Sequence, residues 1–213
     1  MRGTLNEIFT DMATVLPEGE KGKAQVKHLI IGQKEAQYTM MRAAVTGGRS
    51  QPIDEGAYAQ LFVGGSMVMS DTQMERRSNY EVVRMAKGDV LIAGLGLGMV
   101  LVPILAKDEV TSVTVIEMSQ DAIDLVEPHI RKALGDKADK LTVICSDIFE
   151  WKPPRGARWD TIYFDIWTDL CTDNLKEMTK LHRRFARRKN PGGWMDSWEK
   201  AKLRYWKSRG GGF

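Results

Sequence analysis

The 213-residue chain has only two cysteines, Cys145 and Cys171, only three histidines, and no apolar run long enough to cross a bilayer. Two single cysteines make no disulfide framework and suit a reducing compartment. A spanning helix needs about 18 or more consecutive apolar residues. The opening MRGTLNEIFTDM has no apolar signal core, so the expected location is the cytoplasm, with no membrane partner. His28, His129 and His182 lie far apart without ligand spacing, so no metal site is expected. A cysteine or serine nucleophile has no recognisable partner. Internal repeats and low-complexity segments are absent as well.

What is present is an ordinary globular composition, 43% apolar and 28% charged. The net charge of +3 hides an asymmetry. Residues 1–180 carry 21 basic against 26 acidic residues, and residues 181–213 carry 10 against 2. A basic tail of this kind attracts phosphate or an acidic surface, so nucleic acid is an expected partner.

The chain divides at about residue 85. Over 1–85 the pattern predicts a short helix (LNEIFTDMATVL), a break at PEGEKGK, and a strand AQVKHLII with alternating Val26, His28 and Ile30. A loop follows at 46–56, and then a hairpin in AYAQLFVGGSMVMSD turning at Gly64-Gly65. TQMERRSNYEVVRMAKG reads as one helix that stops at Gly88. From 86 to 213 strands and helices alternate. The strands are DVLIAG, SVTVIE, LTVICSD and DTIYFD, apolar on both faces as central parallel strands are. GMVLVPILAKD, DAIDLVEPHIRKALGDK and TDNLKEMTKLHRRFARRK are the helices. In the last, Leu175, Met178, Leu181 and Phe185 form one stripe, with Lys176, Lys180, Arg183 and Arg187 facing away. The predicted fold class is α/β, a Rossmann-like doubly wound, mainly parallel sheet with a small N-terminal antiparallel β element.

Three glycines, Gly94, Gly96 and Gly98, stand where the first of these strands turns into its helix. A tight turn whose backbone N–H groups must approach a ligand needs residues without Cβ. Glu117 closes the second strand, 19 residues beyond Gly98, where a carboxylate accepts bonds from the ribose hydroxyls of an adenosine-containing cofactor. Asp147, followed by apolar Ile148, suits an adenine, the acid taking the exocyclic amine and the apolar wall stacking on the ring. Asp165 closes the fourth strand, followed by Ile166 and Trp167. A glycine turn or a carboxylate thus ends every one of the four strands on the edge where such sheets bind ligands.

These residues resemble the class I S-adenosylmethionine-dependent methyltransferases over about residues 60–198. Gly94-Leu95-Gly96-Leu97-Gly98 matches the family's glycine loop, Glu117 with Met118 its ribose position, and Asp147 with Ile148 its adenine side. Asp165 matches the acid near the reacting sulfonium, and KNPGGWMDSW the turn into a fifth strand. The chain looks most like the spermidine-synthase branch, whose hairpin motif is similar to VMSDTQME here, with Asp71 and Glu75 at the matching spacing. The resemblance implies a shortened methyltransferase fold binding S-adenosylmethionine or its decarboxylated form. It implies Asp165 as the catalytic carboxylate and Asp71, Glu75 and Trp167 as substrate-binding residues. Glu75 and Asn79, four apart, would share a helix face towards the cleft.

Departures from the family are specific. Ile92 and Leu97 stand where members carry an acid for the cofactor's amino group. The Asp-x-x-Asp-Pro of spermidine synthases is replaced by DIWTD, and only a basic helix, EKAKLRYWKSR, follows the fifth strand. The expected function is methyl transfer to a small-molecule amine or a nucleic acid. The alternatives are aminopropyl transfer, or a non-catalytic module that binds an adenosyl cofactor. The sheet would end at the fifth strand, leaving an edge to be covered by the basic helix, by the N-terminal hairpin or by a second copy in a homo-oligomer.

Overall fold

A computed structural model describes residues 5–47 and 50–210. Residues 1–4 and 211–213, and positions 48 and 49 of the predicted loop 46–56, lie outside the described residues. Two single-turn helices, α1 (Leu5–Ile8) and α2 (Met12–Val15), open the chain where one helix was predicted. Asp11 separates them, in extended conformation, and its carboxylate accepts a bond of 2.6 Å from Arg76.

Strands β1 (Gly19–Lys21), β2 (Ala24–Ile31), β3 (Gly56–Val63) and β4 (Ser66–Ser70) form an antiparallel sheet in that order. β1 occupies the predicted break, and every one of its residues is exposed, so no alternation announces it. Between β2 and β3 runs α3 (Gln33–Val45), which the sequence left unassigned; none of its residues is buried, so it lacks the apolar stripe that reveals a helix.

The helix expected over 72–88 is two, α4 (Gln73–Ser78) and α5 (Tyr80–Met85). They part at Asn79, which is wholly buried. Its side-chain oxygen accepts the Tyr163 hydroxyl at 3.2 Å and its amide donates to the Glu75 carbonyl at 3.2 Å, tying the break to the sheet behind it.

The second sheet is parallel throughout. It comprises β5 (Gly88–Ala93), β6 (Val110–Glu117), β7 (Leu141–Cys145), β8 (Trp159–Phe164) and β9 (Lys189–Ser197), in the order β7-β6-β5-β8-β9. Helices α6 (Leu101–Ala106), α7 (Gln120–Leu134) and α8 (Asn174–Phe185) connect its strands, and α9 (Lys200–Ser208) follows β9. The α8 stripe of Leu175, Met178, Leu181 and Phe185 is buried. Because β6 and β8 lie on either side of β5, the connections leave the sheet in opposite directions there and a crevice opens at the strand ends.

The antiparallel sheet docks onto this body. Phe9, Met12, Leu16, Val26 and Leu61 belong to the same buried cluster as β5, β6 and β8. The backbone N–H of Lys23 donates to Asp121 on α7 at 2.8 Å.

Asp71 is part of this docking and not of a substrate site. It is fully buried. One carboxylate oxygen accepts the Ala59 N–H at 2.7 Å; the other accepts the Met12 N–H at 2.8 Å and Arg76 at 3.2 Å. Burial pushes its carboxyl upwards, against the pull of these donors. The Asp71–Arg76 pair thereby joins α2, β3 and α4. Asp71→Ala is expected to cost about 3 kcal/mol in urea unfolding, the low end for breaking a buried pair, since Arg76 keeps Asp11. An unchanged unfolding midpoint would refute the structural role.

Candidate functional site

A cavity of about 480 Å³ opens at the carboxyl ends of β5, β6 and β8. Gly94, Leu95, Gly96, Glu117, Met118, Asp147, Ile148, Asp165 and Trp167 line it, together with Glu75. The antiparallel sheet supplies the facing wall through Leu61, Val63, Val68 and Met69. Gly98 and Asp71 are not among the lining residues.

Two of the glycines are forced by contact. At Gly94 (φ +100°) a Cβ would be driven into the backbone carbonyl oxygen of Asp165, because β5 and β8 are neighbours and end at the same level. At Gly96 (φ +51°) a Cβ would strike the Met69 sulfur. Gly98 corrects the sequence reading: a Cβ there would lie 2.7 Å from Ile130, so this glycine permits α7 to pack close and does not face the ligand space.

Glu117 holds the two loops that frame the cavity. One of its oxygens accepts the Leu95 N–H at 2.8 Å, the other the Ser119 N–H at 2.9 Å. A carboxylate has about four acceptor positions, so capacity remains for hydroxyl donors. Asp147 is exposed at the rim, with one oxygen accepting the Phe149 N–H at 2.8 Å. Ile148 is buried beside it, and Met118 is 75% exposed at the mouth. The loop at 148–151 is pinned by Arg184 of α8, which donates to the carbonyls of Ile148 (2.5 Å), Phe149 (2.6 Å) and Trp151.

The opposite end of the cavity is acidic and apolar. Trp167 is buried and donates its indole N–H to Glu177 at 2.8 Å, presenting the ring as wall. The Asp165 carboxyl accepts no hydrogen bond among the described residues and is pushed up to about 8, by desolvation first and by the charge of Glu75 second. Glu75 is raised to about 7, again by desolvation, with the Ser78 hydroxyl opposing and Glu199 adding. Asn79 stands behind Glu75 and is not part of the lining.

Ile92 lines the cavity as a buried apolar side chain, and Leu97 turns fully into the core. Neither position offers a carboxylate to the cavity. No lysine, arginine or histidine lines the cavity among the described residues. Sequence reasoning missed Met69, Phe149, Tyr163 and Trp198 as lining residues. Met69 sits on a strand predicted correctly, and its sulfur accepts the Leu97 N–H at 3.3 Å; only the docking of the two sheets brings it there. Among the described residues no group of three His, Cys, Asp or Glu side chains is placed to hold a metal ion, and no helix is long and apolar enough to cross a membrane.

No family model matches the chain, and no curated protein does. Several solved structures do. A putative S-adenosylmethionine-dependent methyltransferase from Streptococcus mutans is similar at 16% identity and a TM-score of 0.50, over 66% of this chain and 38% of its own. The methyltransferase CcbJ from Streptomyces caelestis is similar at 19% identity and a TM-score of 0.45, over 57% of this chain and 47% of its own. The glycopeptide N-methyltransferase MtfA, complexed with sinefungin, is similar at 21% identity and a TM-score of 0.41, over 56% and 47%. The chain thus spans about half or less of the length of these proteins. The first likeness is one of fold: the chain has the Rossmann-like α/β architecture with a five-stranded parallel sheet.

The two raised carboxyls make stability depend on pH in a defined direction. The unfolded chain releases these protons near pH 4, whereas the folded chain keeps them to about 7 (Glu75) and about 8 (Asp165). The folded state therefore binds more protons between these values, and their contribution is present below about pH 4 and lost as pH rises to about 8. Asp165→Asn is expected to flatten the fall in thermal midpoint between pH 5 and 9 relative to wild type. Parallel profiles for the two proteins would contradict the assignment.

Proposed function

We propose that the protein transfers a group from S-adenosylmethionine to an amine nitrogen. The observation that carries this reading is the lining of the cavity: four acidic side chains face it, Glu75, Glu117, Asp147 and Asp165, two of which an entering cation would help to ionise, and among the described residues no basic side chain faces it. A phosphorylated nucleotide would enter without a cation to meet it. An adenosyl sulfonium and an amine are both cationic and both complement it. The volume suits a ligand of that size. The neighbours described as methyltransferases agree in fold with this reading.

In this reading Glu117 holds the ribose hydroxyls, using the acceptor positions that Leu95 and Ser119 leave open. Asp147 takes the exocyclic amine of adenine, and Ile148 and Phe149 pack on the ring. S-adenosylmethionine supplies, when bound, an electrophilic carbon on a sulfonium whose bonding pair leaves on sulfur as the acceptor's lone pair attacks. Asp165 orients the acceptor nitrogen and takes the proton it sheds as it becomes cationic. A base near 8 is close to working pH, and an incoming cation lowers that value further by favouring the carboxylate. Trp167 and Trp198 exclude water and offer ring faces to a cationic amine.

The absence of a basic lining residue also favours a second reading, use of the decarboxylated cofactor and transfer of its aminopropyl group. A cofactor carboxylate would find no cation, and the Leu97 N–H is occupied by Met69. Isothermal titration calorimetry with S-adenosylmethionine, S-adenosylhomocysteine and decarboxylated S-adenosylmethionine separates the readings. Tight binding of the first two supports methyl transfer, preference for the third supports aminopropyl transfer, and binding of none refutes both. Asp147→Ala is expected to weaken the bound adenosyl ligand by about 1–3 kcal/mol, and Glu117→Ala by at least as much because it also releases two loop N–H groups. Wild-type affinity in both variants would mean that the cleft is wrongly assigned.

A further inference from the structure

Apart from Lys202, which pairs with Glu199 at 3.5 Å, the basic residues of the last 33 positions fall into two groups. Arg184 and Arg188 donate to backbone carbonyls between residues 148 and 157, Lys189 donates to the Gly193 carbonyl, and Lys200 is buried against His182. These hold the fold. The second group points to water. Lys180 and Arg183 on α8, with Arg187 in the turn that follows it, recur at spacings of three and four away from the buried stripe. Arg204 and Lys207 on α9, and Arg209 at its C-terminal cap, are exposed.

None of these six pairs with a carboxylate among the described residues. A helix face that is merely solvated commonly alternates its charges so that neighbours at four residues attract. Here neighbours repel, and an anion offsets that repulsion. The two helices form one surface, since His182 of α8 meets Lys200 of α9 at 2.9 Å, and Arg204 is close enough to act on the charge of His182.

Charge alone would suit any anionic partner. The aromatic rings on the same surface narrow the choice. Tyr205 is 54% exposed, and the Arg209 guanidinium lies 5.0 Å from its ring centroid. Lys202 lies 5.3 Å over Trp206. Exposed ring faces among cations are what single strands use, with bases stacking on the rings and phosphates meeting the charges.

We propose that the face formed by α8 and α9 binds single-stranded nucleic acid, its arginines and lysines on phosphates and Tyr205 under a base. The face begins at the cavity rim, where Lys180 stands 5.1 Å over the ring of Phe149, a cavity residue. Phosphates thus stay on the basic helices and outside the acidic cavity. The proposal stands independently of the group-transfer reading.

The test is fluorescence anisotropy of a labelled single-stranded oligonucleotide against the full chain at several salt concentrations. Each phosphate contact contributes about 0.7 to the slope of log affinity against log salt, so a triple Arg183→Gln, Arg187→Gln, Arg204→Gln variant is expected to lose about 2 from the slope. Tyr205→Ala is expected to weaken binding about five- to 150-fold, the range for one stacked base. Arg42→Gln, on α3, and Asp147→Ala are expected to bind like wild type. All substituted residues are exposed, and circular dichroism checks the fold; should the triple variant unfold, Tyr205→Ala carries the test. No binding by wild type overturns the proposal. So does a wild-type slope in the triple variant, or binding to anionic vesicles as tight as to the oligonucleotide and untouched by Tyr205→Ala.

Discussion

The structure depends on the contact between Gly94 and the carbonyl of Asp165, where β5 and β8 run side by side and end together. No side chain fits between them. The chain must therefore turn through glycine at the end of β5, and the N–H groups of that turn are tied to Ile116, Glu117 and Met69. Glu117, at the end of the next strand, accepts one of those N–H groups and one from the following loop. The glycine turn sets one side of the cavity by backbone, and the acidic side chains Glu75, Glu117, Asp147 and Asp165 are arranged around it.

The second sheet turns that crevice into a cavity. In a bare doubly wound fold the strand ends would face water. Here β3 and β4 lie across them, anchored by the buried Asp71–Arg76 pair and by the Lys23 N–H on α7. Partial enclosure lowers the hydration of Asp165 and Glu75 without giving them a cation, and this raises their affinity for protons. A cavity that holds two partly desolvated carboxyls without a cation beside them suits a positively charged occupant.

The same chain segregates charge in the opposite sense on its surface. The cavity collects acids, and α8 and α9 collect bases, some holding backbone carbonyls and others facing water. Arg184 links the two regions, since it fixes the loop that carries Ile148 and Phe149 from the helix whose far side is basic. Two anionic and cationic fields a short distance apart allow one molecule to hold partners of opposite charge.

The parallel strands, the glycine turn and the carboxylates at strand ends were legible in the sequence, because period, β-branching and glycine placement are local consequences of backbone sterics. The α8 stripe was legible for the same reason. α3 was not, since a helix with no buried residue leaves no periodic trace, and the break at Asn79 was not, since it is made by a bond to Tyr163, 84 positions away. Asp71 looked like a substrate acid because its spacing to Glu75 suited one; which of the two faces the cavity is decided by the docking of one sheet on another. Local sterics determine which elements form and which residues end them. Only the packing of distant segments decides which of those residues lose water, and desolvation is what converts a carboxylate at a strand end into a chemical group poised near neutral pH.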